Sequence, residues 1–247
     1  MNEKNIIFGL HAIEALLEKQ PERILHVHLQ KDRQDQKLQK IMKVLAQYDI
    51  PIDLVARAVL DRMADDGNHQ GIIATCSKTK IYTESELKNL LDNLTVPPLL
   101  LILDSIQDPH NLGACLRSAD AAGVHAVIAP RDKSVGLTPT VTKVACGAAE
   151  TVPFVQVTNL ARSMESLKER GIWLFGLAGE ATKSLYAENL KIPLAFVMGN
   201  EEKGLRHLTR ETCDELLKIP MNGFVSSLNV SVSTGICLYE ALRQRSG

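Results

Sequence analysis

The sequence predicts an α/β fold in two parts: a small N-terminal α/β domain and a larger C-terminal domain built on a parallel sheet. Three observations carry this. β-rich runs alternate with helically spaced apolar patterns from end to end, as in stacked β-α units. Leu99–Leu103 is a continuous apolar run, as expected of a strand buried on both faces of a parallel sheet. A polar stretch closed by Pro97 and Pro98 separates the two parts.

In the first part, strands are expected at Asn5–Phe8, Ile24–Leu29, Ile52–Val55 and Gly71–Cys76. Helices are expected at His11–Lys19 and Gln36–Gln47, the second on the spacing of Leu38, Ile41, Met42 and Leu45. These place a domain over residues 1–76. Residues 77–96 read as a linker holding a short helix around Glu84–Leu94, and residues 97–247 as the second domain. In that domain strands fit at Leu99–Leu103, Ala126–Ala129, Phe154–Val157, Ile172–Phe175, Leu194–Met198 and Leu216–Ile219. Helices fit at Leu112–Ala122, Thr140–Ala148, Leu160–Arg170 and Val230–Arg243. Ligands of such sheets bind beyond the carboxyl ends of the strands.

Bulk properties narrow the function by exclusion. The chain of 247 residues can bury a core without disulfides or metals. Cys76, Cys115, Cys146, Cys213 and Cys237 form no C-x-x-C pair and have no histidine cluster near them in sequence, so they signal neither zinc nor a disulfide framework. The apolar stretch Met1–Ile6 is too short for a signal peptide and no window reaches the length of a membrane span, so the expected location is the cytoplasm. The formal charge is −1, with 13 basic against 14 acidic residues up to position 95 and 15 against 15 beyond it. Composition therefore gives no support for nucleic-acid binding, and an aromatic content of 4% argues against a base-stacking platform. Lys31, Arg33, Lys37 and Lys40 could face phosphate once folded, or could simply be solvated.

Three loops concentrate polar residues where a parallel sheet would bind a ligand. The first, Asp104–Arg117, leads from a strand into a helix. Asn111–Gly113 lie near that helix's start, where free amides favour an anion, and Arg117 lies six residues on. On this cluster alone a capped helix with a surface arginine is favoured over catalysis. The second, Val197–Gly204, turns through Gly199 and Glu201; its glycines permit close backbone approach to a flat ligand, or an ordinary turn. The third, running from Ile219 into the last helix, holds Gly223, Ser226, Ser227 and Asn229. Either Ser227 or Asn229 serves as a natural N-cap, but capping does not account for the whole run. Dinucleotide, phosphate-loop and serine-hydrolase signatures are missing, and His110 lacks an evident partner as a general base.

Taken together the loops resemble the motifs of the SpoU (TrmH) branch of the SPOUT methyltransferases: D-P-H-N-L-G-A-C-L-R-S-A-D-A-A-G at 108–123, V-M-G-N-E-E-K-G-L at 197–205 and I-P-M-N-G-F-V-S-S-L-N-V-S-V-S-T-G at 219–235. In the first part, F-G-L-H-A-I-E-A-L-L and H-Q-G-I-I-A are similar to that family's small L30e-like RNA-binding domain.

The resemblance implies a deep trefoil knot in the second domain, a homodimer, and S-adenosylmethionine as methyl donor. It implies transfer to the ribose 2'-hydroxyl of a guanosine, with 23S ribosomal RNA or a large-subunit precursor as the partner. By motif matching, Gly199, Ile219, Met221 and Leu228 line the cofactor pocket, while Asn111, Arg117, Glu201, Ser227 and Asn229 hold the polar active-site positions. No metal and no membrane enter this expectation. Methyl transfer to transfer RNA, and a catalytically silent RNA-binding or assembly factor, are the competing readings; the intact polar set disfavours the second.

Overall fold

A computed structural model describes residues 5–31, 33, 36–65, 67–201 and 203–246. Residues 1–4 of the Met1–Ile6 stretch, and Glu202 of the second motif, lie outside the described residues. The chain forms two compact units: Met1–Lys80 with Cys146–Thr151, and Ile81–Ala145 with Val152–Gly247.

The first unit runs β1 (Asn5–Phe8), α1 (Leu10–Lys19), β2 (Ile24–Gln30), α2 (Gln36–Gln47), β3 (Ile52–Val55), α3 (Arg57–Met63) and β4 (Ile72–Cys76). Its sheet has the order β1-β4-β2-β3, with β4 antiparallel to β1 and β2, and β3 parallel to β2. In β2 Val27 and Leu29 are buried while His26, His28 and Gln30 are only partly covered, the two-residue alternation of a strand with one core face. That core holds Ile13, Leu16, Leu38, Ile41, Leu45 and Ile72. The H-Q-G motif shapes the approach to β4. Gln70 Oε1 accepts the Leu10 N–H that opens α1 (2.9 Å), and His69 Nδ1 accepts the Gly71 N–H (3.0 Å) while its Nε2 meets Asp61 (2.9 Å). A histidine held at both nitrogens in this way is a structural fixture.

The second unit begins with β5 (Ile81–Tyr82) and α4 (Glu84–Asp92), the latter opened by a reciprocal capping box between Thr83 and Glu86. It continues through β6 (Leu99–Leu103), α5 (Pro109–Ala121), β7 (Ala126–Pro130) and α6 (Pro139–Ala145). After α7 (Ala148–Thr151), which belongs to the first unit, come β8 (Phe154–Val157), α8 (Leu160–Lys168), β9 (Trp173–Leu177) and β10 (Lys183–Ser184). β11 (Leu194–Met198), α9 (His207–Thr212), β12 (Glu215–Lys218) and α10 (Val230–Arg245) complete it. The sheet order is β10-β12-β9-β11-β6-β7-β8-β5, and every pairing is parallel. All five residues of β6, β7 and β11 are buried, as runs covered on both faces must be. α10 packs on α5 and β11.

Two features depart from expectation. The segment 77–96 is not a free linker: Ile81–Tyr82 pairs with β8 as the sheet's edge, and Leu87 of α4 enters the core. The helix expected over Thr140–Ala148 is two helices, interrupted at Cys146 (φ 52°) and Gly147 (φ 98°). A Cβ on Gly147 would lie 2.9 Å from the Ala12 Cα, so close packing as well as the left-handed backbone demands glycine there. The turn carries Cys146–Thr151 into the first unit. There the buried Glu150 carboxylate pairs with the buried Arg23 guanidinium and accepts from Thr79 Oγ1 (2.8 Å). α3, β5, β10 and α9 have no counterpart in the sequence reading; all are too short to show a period.

Candidate active site

Neighbouring strands β11, β9 and β12 end on one side of the sheet, and the loops that follow them enclose a cavity of about 330 Å³. Gly199, Glu201, Gly204 and Leu205 come from the loop after β11. Ile219, Met221, Ser227 and Leu228 come from the loop after β12, and Leu177–Glu180 from the end of β9 and beyond. All four residues expected to hold a cofactor therefore face one cavity, together with Glu201 and Ser227.

Gly199 sets the shape of its loop. A Cβ there would lie 2.2 Å from the Gly204 carbonyl carbon and 2.4 Å from the Leu205 nitrogen, so the returning backbone occupies the space of a side chain. The return is closed by Asn200 N–H to Gly204 O (3.0 Å) and Gly204 N–H to Asn200 O (2.8 Å). Beyond it Arg206 is tied to Asp104, a fully buried carboxylate just past β6 that accepts from Arg206 Nε (2.6 Å) and Arg206 N–H (3.0 Å). A buried charge is tolerated when paired and hydrogen-bonded in this way, and the pair fixes where the loop leaves the site.

The polar cluster stands beside the cavity. Asp108 caps α5 by accepting the His110 N–H, with Pro109 at the first helical position, so Asn111 falls within the first turn. Asn111 Nδ2 donates to Glu201 Oε1 (3.0 Å). The same oxygen accepts from Asn229 Nδ2 and from the Val230 N–H (3.2 Å), and Asn229 Nδ2 also reaches Asn111 Oδ1 (2.9 Å). Asn229 Oδ1 caps α10 by accepting from the Ser231 N–H (2.9 Å). One carboxylate thus ties together three loops from distant parts of the sequence.

Asn111, Glu201 and Asn229 meet directly. Ser227 lies on the exposed loop after β12 and lines the cavity without joining the hydrogen-bonded cluster among the described residues. Arg117 is exposed on α5, six residues beyond Asn111, which is about 9 Å along a helix axis and on a different face. The loop does not fold back to join the two. His110 lies at the start of α5 and is exposed; nothing in the described structure makes it a base.

Sequence reasoning passed over the wall formed by Leu177–Glu180 and the Arg210 guanidinium that pairs with Glu180 at the cavity's edge. That pairing holds the Glu180 carboxyl below its ordinary pKa. The available signal was positional: Ala178 and Gly179 follow a strand whose neighbours carry the other two loops.

The SpoU rRNA Methylase family matches residues 98–239, and the family of RNA 2'-O ribose methyltransferase substrate-binding domains matches residues 6–82. The 23S rRNA (guanosine-2'-O-)-methyltransferase RlmB of Pectobacterium atrosepticum is 57% identical over 242 residues, covering 98% of this chain and 99% of its own. Among solved structures, that of an RNA 2'-O ribose methyltransferase superposes with a TM-score of 0.78 at 28% identity, covering all of this chain and 90% of the other. The SpoU methyltransferase AviRb of Streptomyces viridochromogenes, in complex with the cofactor AdoMet, has the same fold. Its TM-score is 0.78 at 23% identity, covering 99% and 92% of the two chains.

Proposed function

The chain belongs to the SpoU rRNA methylase family, and from that premise we propose that it transfers the methyl group of S-adenosylmethionine to the ribose 2'-hydroxyl of a guanosine in 23S ribosomal RNA. The observation that carries this reading is the Asn111–Glu201–Asn229 cluster set beside a cavity at the carboxyl ends of parallel strands. A cavity of about 330 Å³ falls within the roughly 300–1,000 Å³ of small-molecule sites. Its walls combine apolar side chains (Leu177, Met198, Ile219, Leu228) with the backbone of Gly199 and Ala178, which suits a flat nucleoside with hydrogen-bonding edges.

S-adenosylmethionine supplies a methyl already activated on a sulfonium, so the protein has to align the acceptor and ease loss of the hydroxyl proton. Gly199, Ile219, Met221 and Leu228 hold the donor. Arg117 is a poor base, since a guanidinium stays protonated; in the homodimer of this reading, whose active site is completed across the subunit interface, it grips a phosphate of the RNA and stabilises developing negative charge on the ribose oxygen. Being exposed on α5, it can reach a bound RNA. Ser227 and Asn229 orient the ribose, and Glu201 holds Asn111, Asn229 and the start of α10 in register with the cavity. The first unit carries the RNA, with Lys31, Arg33, Lys37 and Lys40 exposed on it. A homodimer, the trefoil knot and a cytoplasmic location belong to the same reading. Among the described residues no helix is long and apolar enough to cross a membrane.

Incubation with methyl-labelled S-adenosylmethionine and either unmodified 23S ribosomal RNA or bulk transfer RNA tests the proposal. Label on one guanosine ribose of the 23S RNA is the expected result. Label on transfer RNA alone overturns the substrate, and failure to bind S-adenosylmethionine overturns the activity. Arg117→Ala should lower turnover at least 100-fold while leaving S-adenosylmethionine binding intact; full turnover would remove Arg117 from the mechanism.

A further inference from the structure

The first unit carries a second arrangement of functional groups, one that methyl transfer does not use. His26 and His28 are two residues apart on β2 and so project from the same side of the sheet, opposite Val27 and Leu29. β3 lies parallel to β2 in a register that places Asp53 directly beside His28. His26 Nε2 lies 2.8 Å from Asp53 Oδ2 and His28 Nε2 lies 3.8 Å from the same oxygen, while the two imidazole centroids are 4.7 Å apart. One ligand atom from each residue falls within 4.8 Å of the other two. The group is open to solvent, with side-chain exposures of 33% for His26, 20% for His28 and 59% for Asp53.

We infer that His26, His28 and Asp53 form a surface site for a divalent transition-metal ion of the Zn²⁺ type. Two imidazoles and one carboxylate match the donor preference of Zn²⁺, Co²⁺ and Ni²⁺; Mg²⁺ and Ca²⁺ favour all-oxygen shells. Metal–ligand bonds of about 2.0–2.2 Å in a tetrahedron place the donor atoms roughly 3.3–3.5 Å apart. The 2.8 Å and 3.8 Å separations straddle that value, so the ion needs shifts of about half an ångström in those two edges, and the third is within 4.8 Å. Asp53, with a side chain more than half exposed, can make such a shift. Three protein ligands leave a fourth position for water.

Protonation and the outer shell bear on affinity. Burial and the neighbouring His26 hold the His28 imidazole below its ordinary pKa. His26 gives up its hydrogen bond to Asp53 when its Nε2 turns to the metal. His28 Nδ1 is buried with no hydrogen-bond partner. An outer-shell acceptor on that nitrogen is worth about 10–100-fold in affinity, so this site binds more weakly than one whose histidines are both held from behind.

Titration of the untagged full-length protein with Co²⁺, and with Zn²⁺ in competition, tests the site. The expected result is one equivalent bound with micromolar affinity, giving visible d–d bands of a four-coordinate ion and no thiolate charge-transfer band in the near ultraviolet. His26→Gln combined with His28→Gln should abolish binding, and Asp53→Asn should weaken it at least tenfold. Circular dichroism and S-adenosylmethionine binding serve as controls for folding. No binding at micromolar metal, equal binding by the double-histidine variant, or a thiolate band assigning the ion to a cysteine would each overturn the proposal.

Discussion

Replacing Gly199 with alanine would put a methyl group where the chain itself passes. The new Cβ would stand 2.2 Å from the Gly204 carbonyl carbon, 2.4 Å from the Leu205 nitrogen and 2.5 Å from the Gly204 oxygen, all backbone atoms that no rotamer change can move aside. Ordinary contact begins near 3.4 Å, so the 204–205 backbone must recede by about 1.2 Å. That displacement breaks the paired hydrogen bonds between Asn200 and Gly204. Overpacking of this kind costs about 1–3 kcal/mol and two lost backbone hydrogen bonds about 2 kcal/mol more, together roughly 3–5 kcal/mol. Denaturant unfolding reads that loss directly. Because Gly204 and Leu205 line the cavity, calorimetric titration should also show S-adenosylmethionine affinity falling at least tenfold, equivalent to about 1.4 kcal/mol. Gly223→Ala supplies the control: nothing lies within 4 Å of its Cβ position, and it should stay within about 0.5 kcal/mol of the parent. A Gly199→Ala protein with parental midpoint and affinity would show that the close approach constrains neither the loop nor the cavity.

The Glu201 carboxylate accepts three N–H groups through one oxygen, so Glu201→Ala should destabilise by about 1–2 kcal/mol, a figure kept low because the side chain is exposed. Glu201→Gln keeps an acceptor oxygen and should cost less than half as much in chemical denaturation; equal losses would mean that charge and not the shared acceptor holds the loops. Glu240 gives the pH dependence. Hydrogen bonds from Arg243 and Gln244 lower its carboxyl from 4.5 to about 2. A depressed folded pKa means that the contribution is full above about 4.5 and fades as pH falls toward 2. The difference in stability between the parent and Glu240→Gln should therefore narrow over that window, and a constant difference would contradict the assignment.

The sheet of the second unit was legible because strands buried on both faces must be continuously apolar, and Leu99–Leu103 and Leu194–Met198 are. The loops were legible because each keeps its polar residues within one short stretch. Their convergence was not: Asn111 meets Glu201 and Asn229 only through crossovers that bring β6 beside β11, and no local spacing encodes that order. Resemblance to a family supplied what spacing could not. The break at Cys146–Gly147 escaped for a related reason, since the apolar pattern of Thr140–Ala148 is helical while the contact that interrupts it comes from Ala12. His26 and His28 share a face by simple alternation, but only the pairing of β2 with β3 brings Asp53 to them. Two-residue strands such as β5 and β10 carry no pattern at all and exist because a neighbouring strand offers hydrogen-bonding groups.

The return of Cys146–Thr151 to the first unit has a consequence for biosynthesis. As the chain emerges from the ribosome, residues up to Lys80 can assemble their sheet and helices, yet the buried Arg23 guanidinium still lacks its carboxylate. Glu150 arrives only after residues 81–149 have been made, and until then Arg23 has only the neutral acceptors Gln20, Ser77 and Thr79 for its charge. The N-terminal unit is therefore completed late in translation, and its last structural element is encoded inside the segment that matches the methylase family. A fragment ending at Lys80 would carry an uncompensated cation where the intact protein has a closed ion pair.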